Sequence, residues 1–453
     1  MPLTRTPLLS ETVRKLLARG ASVNAFNILN RLHPADVAGI LTEIPEQLRR
    51  EAFKTLQKRN LALASAALSE LGPERGASIL SEMSPQEVSE LLQELDPDDT
   101  APFLARLPLE IQEVILGAMR TKEASDVEDL LQYPDETAGR IMSPKVFSLH
   151  EETTVGEAIR KLQEAGDLEM VFYIYVVDDR GKLAGVLSLR QLLLKRPETR
   201  LRDIMETEVI RVVTDTDQEE VAQLVASYNL LAVPVVDSQN NLVGVITVDD
   251  VIDVIKHEAT EDIFRLAGVD TDERVFNPAR TSVSKRIPWL VVNLATAFLA
   301  AFVVSRFEGA IARLAVLAVF MPIVPSMGGN AGHQALTIMV RGIALGELTW
   351  ANSRKALLKE IVVGIVNGLL TGLVAGLAAF LWKADPWLGG ILALAMVGNL
   401  IIAAVAGTLI PLLLRRMKID PALASSVFVT TATDVAGFLL FLGLGAAFLG
   451  RIQ

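Results

Sequence analysis

The pattern of apolar and polar positions changes twice along the chain. Residues 1 to about 135 read as helical throughout, punctuated by Pro34, Pro45, Pro73, Pro85, Pro97 and Pro108, the last four spaced 12, 12 and 11 residues apart. Ser84 and Asp96 stand immediately before two of these prolines. A Ser or Asp N-cap followed by Pro marks a helix start, because the first helical position has no intrahelical hydrogen bond to lose. The array predicts short helices stacked into an all-α solenoid, an architecture that by itself serves as an interaction scaffold. From 140 to 256 short apolar strands alternate with helices, which indicates an α/β unit. This stretch repeats: Ile141-Met142 returns as Ile204-Met205, and GVLSLRQLL (185–193) as GVITVDDVI (244–252). Each copy is expected to continue as strand, helix and two strands, with helices at Val155–Ala165 and Gln218–Tyr228. The paired strands are Phe172–Val177 with Ala184–Leu187, and Val233–Val236 with Leu242–Thr247.

From Ile287 onward the apolar runs lengthen to about 287–305, 314–340, 360–382, 387–414 and 422–449, each long enough to cross a hydrocarbon core. The second is interrupted by Pro322, Pro325 and Gly328-Gly329 and is expected to kink or break there. Such backbone is tolerated in a membrane only where it faces protein or water. The third carries Gly364, Gly368, Gly372 and Gly376, a spacing of four that makes a close helix-packing face.

Composition adds an asymmetry. Apolar residues are 51% of the 453 positions. From Lys285 to the end there are 13 Lys and Arg against 6 Asp and Glu, and before it 30 against 48, so a half of net charge −18 precedes one of +7. The acidic half suits divalent cations and excludes nucleic acid, which needs a basic footprint. No Cys is present, hence no disulfide framework or thiolate metal site. No basic region followed by a short apolar run opens the chain, so no cleaved signal is expected and the acidic half is placed in the cytosol. With the N-terminus inside, Lys285, Arg286, Arg341, Arg354, Lys355, Lys359, Arg415, Arg416 and Lys418 flank the inner side, and Arg306, Arg313, Lys383 and Arg451 the outer. That bias agrees with the positive-inside rule, and five spans put the C-terminus outside.

The most informative residue is Asp434, 14 positions after Asp420 and so roughly 21 Å along a helix. No Lys or Arg lies at similar depth. A charge there costs at least about 2.5–3.5 kcal/mol, so such residues line a pore or find a partner. The bland reading is a protonated Asp bonded to Thr430, Thr431 or Thr433; the functional one makes a cation the partner. Carboxylates, carbonyls and water suit hard cations. Mg2+ keeps several waters and binds through one or two carboxylates, which fits a single Asp per subunit and leaves Ca2+, Mn2+ and Co2+ open. A second polar element, PSMGGNAGHQALT (325–337), offers the carbonyls of Gly328 and Gly329 and the side chains of Asn330 and Gln334.

Residues 140–256 resemble a tandem CBS pair. Together with the helical N-terminal part, the GGNxGxQ stretch Gly328–Gln334 and the DPA…TTxxD stretch Asp420–Asp434, the whole chain resembles the MgtE family of magnesium transporters. The resemblance implies a homodimeric, multidomain membrane protein. Its parts would be a solenoid regulatory domain (1–135), a CBS domain (136–256), a gating helix and linker (249–284) and a five-helix transmembrane pore domain (285–453). It implies Asp434, with Asn330 and Thr430, as the pore site and Asp420 as a carboxylate at the cytosolic mouth. It also implies that Asp250, Asp253, Glu258, Glu261 and Asp262, spread over about half the circumference of a helix at 249–266, bind regulatory Mg2+ with Asp96, Asp98 and Asp99. CBS domains that hold adenine nucleotides often place an Asp three residues after a Ser or Thr; Thr247 and Asp250 fit, whereas Ser188 is followed there by Gln191. ATP or another adenine nucleotide is therefore expected at one half-site.

The sequence departs from the family pattern at Val427, where Pro is usual, and at His333, where Asn can occur. Other classes fit less well. A CBS-regulated anion channel would want a deep basic residue, a membrane metalloprotease an HExxH pair, and an ATP-driven pump a phosphate loop; none is in the sequence. A non-transporting sensor would not need Asp434 or a broken second span.

Overall fold

Proline placement sets the architecture of the first part. In a computed structural model, which describes residues 6–452 apart from 82, 166–170, 272, 274, 276–277 and 424, this part is helical. Its helices are α1 (Thr6–Ala18), α2 (Ser22–Leu29), α3 (Pro34–Glu43), α4 (Glu46–Arg59), α5 (Leu61–Leu80), α6 (Pro85–Leu92), α7 (Pro97–Ala105), α8 (Leu109–Ala118) and α9 (Thr121–Gln132). Three of them begin at a proline. Ser84 and Glu87 close a reciprocal capping box on α6. Pro73 opens a new helical segment, as its spacing predicts: Gly72, at φ 76°, breaks the Leu61–Leu80 stretch and Pro73 restarts it. Asp96 occupies the N-cap position of α7, but its side chain makes no capping bond and turns instead to Lys145. Each helix buries one stripe, with Val37, Ile40, Phe53, Leu68, Leu91 and Phe103 in a common core.

The repeat appears as two three-stranded sheets. After α10 (Ala138–Ile141) come β1 (Ser148–His150), α11 (Val155–Glu164), β2 (Tyr173–Val177), β3 (Leu183–Ser188) and α12 (Leu189–Leu193). A 3-10 turn at Leu201–Asp203 leads to β4 (Val212–Val213), α13 (Gln218–Tyr228), β5 (Ala232–Val236), β6 (Leu242–Thr247) and α14 (Val248–Leu266). In each sheet the first strand runs parallel to the second and the third antiparallel to it, with a register shift at Val176/Val177 and again at Val235/Val236. The two repeated sequence signals meet crosswise. A Cβ on Gly244 would lie 2.6 Å from Sδ of Met142, and one on Gly185 2.5 Å from Sδ of Met205. Each Met therefore seats on the glycine of the other copy, and bridges at Ser143–Val245 and Val186–Glu206 follow from that exchange.

The chain divides into two compact units, Met1–Val254 and Ile255–Gln453. In the second, α15 (Ala279–Ser305), α19 (Ser353–Lys383), α20 (Pro386–Arg416) and α21 (Ser425–Ala447) are long and apolar enough to cross a membrane. The run expected as the second span, 314–340, is in two pieces, α17 (Val316–Phe320) and α18 (Ile323–Ala344), with the short α16 (Glu308–Arg313) just before it. The break within it falls at Met321-Pro322, as Pro322 predicts, and not at Gly328-Gly329, which lie inside continuous α18. The expectation that these glycines expose carbonyls is thus corrected. They admit neighbours: a Cβ on Gly328 would sit 2.1 Å from Asn399, and one on Gly332 2.5 Å from Val429. The α19 glycines do form a packing face, since a Cβ on Gly372 or Gly376 would press on the backbone of α20 at 2.8 and 2.6 Å. The segment 268–284 holds four of the residues that lie outside the description, 272, 274, 276 and 277.

Candidate functional site

The structure distributes the acidic residues singled out above over three places. In the transmembrane unit, Asp434 is on α21, one turn beyond Thr430. Thr430, Thr431 and Thr433 donate their hydroxyls back into their own helix, to Ser426, Val427 and Val429 carbonyls at 2.9, 2.7 and 3.0 Å. None turns to Asp434, whose half-buried carboxylate has no hydrogen bond or ion pair among the described residues. The hydroxyl-bonded reading of Asp434 therefore has no donor to rest on. Asn330 is exposed on α18, and a Cβ on neighbouring Gly329 would lie 3.9 Å from Thr433, so the two polar elements occupy adjacent helices.

Two residues that sequence reasoning left without a role fix this arrangement. His333 Nδ1 lies 2.8 Å from the Gly329 carbonyl and Nε2 2.8 Å from the Ser426 hydroxyl. The carbonyl can only accept, so in the neutral ring Nδ1 carries the proton and Ser426 donates to Nε2, tying α18 to α21. Asn399, fully buried in α20, donates through Nδ2 to the Val324 carbonyl at 2.8 Å, just after the break before α18. Its position as a lone amide in the 387–414 apolar run was the available signal.

The second place is the last turns of α14. Glu261 is buried, and Arg265 ion-pairs with it and with Asp420 at once. The other Asp420 oxygen accepts from the Ala422 backbone N–H at 2.8 Å. Burial, with Asp420 and Glu258 nearby, pushes the Asp262 carboxyl up to about 6. His257, Glu258 and Glu261 bring ligand-type atoms within 4.8 Å of one another. The carboxylates expected at the cytosolic mouth thus do not face one another bare, as the sequence suggested; a guanidinium stands between Glu261 and Asp420.

The third place is a cavity of about 340 Å3 in the first unit, between the start of α7, the cross-seated strands and the start of α14. Asp96, Asp98 and Asp99 line one side, Asp249, Asp250 and Asp253 another. Burial, then Asp250 and Asp99, pushes Asp98 up to about 8; burial also raises Asp250 to about 6, against a hydrogen bond from Thr247. Oδ1 of Asp98 has no partner among the described residues. Lys145 holds Asp96 at 2.5 Å. The Thr247 hydroxyl donates to Asp250 at 2.7 Å, and Tyr175, 3% exposed, lines the same cavity with a hydroxyl that finds no partner among the described residues. In the other copy Gln191 is tied by the Ser188 hydroxyl at 3.0 Å and by Glu206 at 2.9 Å. Thus Asp96, Asp99, Asp250 and Asp253 gather at one end of α14, and Glu258, Glu261, Asp262 and Asp420 at the other.

Known proteins carry the same parts in the same order. Residues 321–444 match the MgtE divalent cation transporter family, 32–136 the MgtE intracellular N domain, and 138–198 and 201–257 the CBS domain. The magnesium transporter MgtE of Thermus thermophilus is 36% identical over 98% of this chain and 99% of its own length. That of Bacillus subtilis is 33% identical over 96% of each. Among solved structures, the cytosolic domain of the Mg2+ channel MgtE in complex with ATP aligns with a TM-score of 0.50 and 38% identity, covering 54% of this chain and 99% of that one. With near full-length identity to curated members and every domain in sequence, the chain belongs to the MgtE family of magnesium transporters.

Proposed function

We propose that the protein is a Mg2+-selective channel of the bacterial inner membrane, working as a homodimer with its N-terminus in the cytosol and its C-terminus outside. The observation that carries this reading is the Asp434 carboxylate inside a membrane-spanning helix, with no hydrogen bond or ion pair among the described residues. A cation is the partner that removes its cost. Asp434, Asn330 and the lone pairs of the Thr430 hydroxyl supply oxygen, which suits a hard, largely hydrated ion. If the ion keeps most of its waters, hexaammine cobalt, whose shape and charge resemble hydrated Mg2+, competes. The expected result in proteoliposomes is saturable Mg2+ uptake that micromolar hexaammine cobalt suppresses. Uptake of dehydrated Ca2+ with equal efficiency and no inhibition by the complex would contradict the hydrated-ion reading.

Cytosolic Mg2+ closes the pore in this proposal. It binds among Asp96, Asp99, Asp250 and Asp253 at the cavity, where Asp98 joins them, and among Glu258, Glu261, Asp262 and Asp420 at the mouth. The cavity also suits an adenine nucleotide. Asp250, oriented by Thr247, fits a ribose diol; Tyr175 offers a buried phenol and Lys145 a cation for phosphate. The acidic rim would admit that phosphate best with Mg2+ attached. Equilibrium dialysis with labelled ATP checks this: Tyr175→Phe and Thr247→Val should each weaken binding by about tenfold, the worth of one buried hydrogen bond. Unchanged affinity in both would place any nucleotide elsewhere.

A further inference from the structure

Arg265 is the cation at the mouth that neither the pore site nor the regulatory carboxylates account for. It belongs to the last turn of α14 and reaches two carboxylates in different parts of the unit, Glu261 four residues before it and Asp420 ahead of α21. Both acids have other commitments that fix them. Glu261 is buried, and one oxygen of Asp420 is held by the Ala422 backbone N–H. A guanidinium presents parallel N–H donors in a rigid fork, so it can hold two carboxylates at once where an ammonium would act as a point charge. Beside it the Asp262 carboxyl, raised by burial with Asp420 and Glu258 nearby, adds further negative charge to the mouth.

We propose that Arg265 is a built-in counter-cation that tethers α14 to the mouth of α21 in the absence of metal, so that regulatory Mg2+ completes this contact and does not create it. This rests on the reading of α14 as the gate. It makes Arg265 a positioning residue: the tether keeps α14 near the mouth when internal Mg2+ is low, limits how far the open state departs from the closed one, and leaves Asp262 as a group a divalent ion can add. Because Arg265 already occupies one oxygen each of Glu261 and Asp420, an ion bridging those two acids alone must first displace it.

The chain has no cysteine, so a pair of spin labels can be placed without removing any side chain of that type. Ile263 on α14 and Leu439 on α21 are 68% and 52% exposed and serve as label positions. In the full-length protein, with labelled chains diluted into unlabelled ones, the Mg2+-free distance distribution should be narrow. It should broaden in R265Q and in D420N, and narrow again in both on adding Mg2+. R265K, which keeps charge without the fork, should fall between, and the charge swap R265E with D420R should restore the narrow Mg2+-free distribution. In flux assays R265Q should raise Mg2+-free uptake by several-fold, up to about tenfold, for loss of a charge-assisted pair. The distance measurement reads the tether whether or not the protein conducts, so failure of the gate reading and failure of the tether are separable. A Mg2+-free distribution that is already broad with Arg265 in place, or one that R265Q and D420N leave narrow, overturns the proposal.

Discussion

Replacing Asp434 with Ala should abolish Mg2+ uptake, with a loss of at least ~100-fold, while the protein still inserts and dimerises. Two unit charges about 4 Å apart attract by about 4 kcal/mol at an effective dielectric of 20, and a divalent ion doubles that. Even after most of this is returned as dehydration cost, the remaining few kcal/mol exceed the ~2.7 kcal/mol that correspond to 100-fold. No neighbour can substitute, because the Thr430, Thr431 and Thr433 hydroxyls, which donate to the backbone of α21, offer a cation only neutral lone pairs and no charge. Asp434→Asn is the sharper variant, since it keeps volume and loses only charge; it should be nearly as inactive. Stability should not fall in either case, because an unpartnered carboxylate in a membrane helix is a cost that the substitution removes. Dye-reported flux into liposomes, beside size exclusion of the purified protein, separates the two effects. Wild-type flux through a folded Asp434→Asn dimer would remove this carboxylate from the conduction path.

How much of this was legible in the chain depends on whether the signal is local. Helix Gln218–Tyr228 and strand Leu242–Thr247 appear with the ends the pattern assigned them, because capping and alternation act over a few residues. Asp434 was legible because one charge in an apolar run needs no partner to be noticed. Gly328-Gly329 misled: read as helix breakers, they are helical and small because Asn399 packs against the first, and spacing within one segment cannot reveal a neighbour on α20. The exchange of Met142 onto Gly244 and Met205 onto Gly185 was likewise invisible, although both motifs were in view. Helical projection grouped the α14 acids by angle, whereas the fold separates them by axial position and by what faces each end. Arg265 illustrates the limit: its i,i+4 relation to Glu261 is local, but Asp420 is 155 residues away in sequence.

Neutralising Asp250, Asp253, Glu258, Glu261 and Asp262 together, or deleting residues 1–130, should leave flux high at millimolar internal Mg2+. The acidic half carries −18 per chain, so the proposed homodimer would gather about −36 in the parts proposed to be cytosolic. At the cavity the cost of that charge is visible in Asp98, which burial, then Asp250 and Asp99, raise to about 8, and in Asp250, which burial, then Asp249 and Asp99, raise to about 6. Raised carboxyl values mean that repulsion grows as pH climbs from about 4 through 8 and the protons leave; a divalent cation relieves it at any pH in that range. Mg2+ binding there must displace the Asp98 proton, so the Mg2+ level that closes wild type should fall as pH is raised from 6 to 8. Moving a two-state gate from 1:99 to 99:1 takes only about 5.5 kcal/mol of differential binding, which a few ions preferring the closed state supply. Removing the carboxylates removes that preference, and removing residues 1–130 removes Asp96, Asp98 and Asp99, one wall of the cavity. Flux at millimolar Mg2+ should then rise up to about 100-fold, toward the Mg2+-free level, and the pH dependence of closure should vanish with it. In wild type, Mg2+ should also protect the 268–284 segment from protease, and in the deletion it should not. Closure of both variants at the wild-type Mg2+ level would refute carboxylate bridging as the gate while leaving Asp434 in the pore.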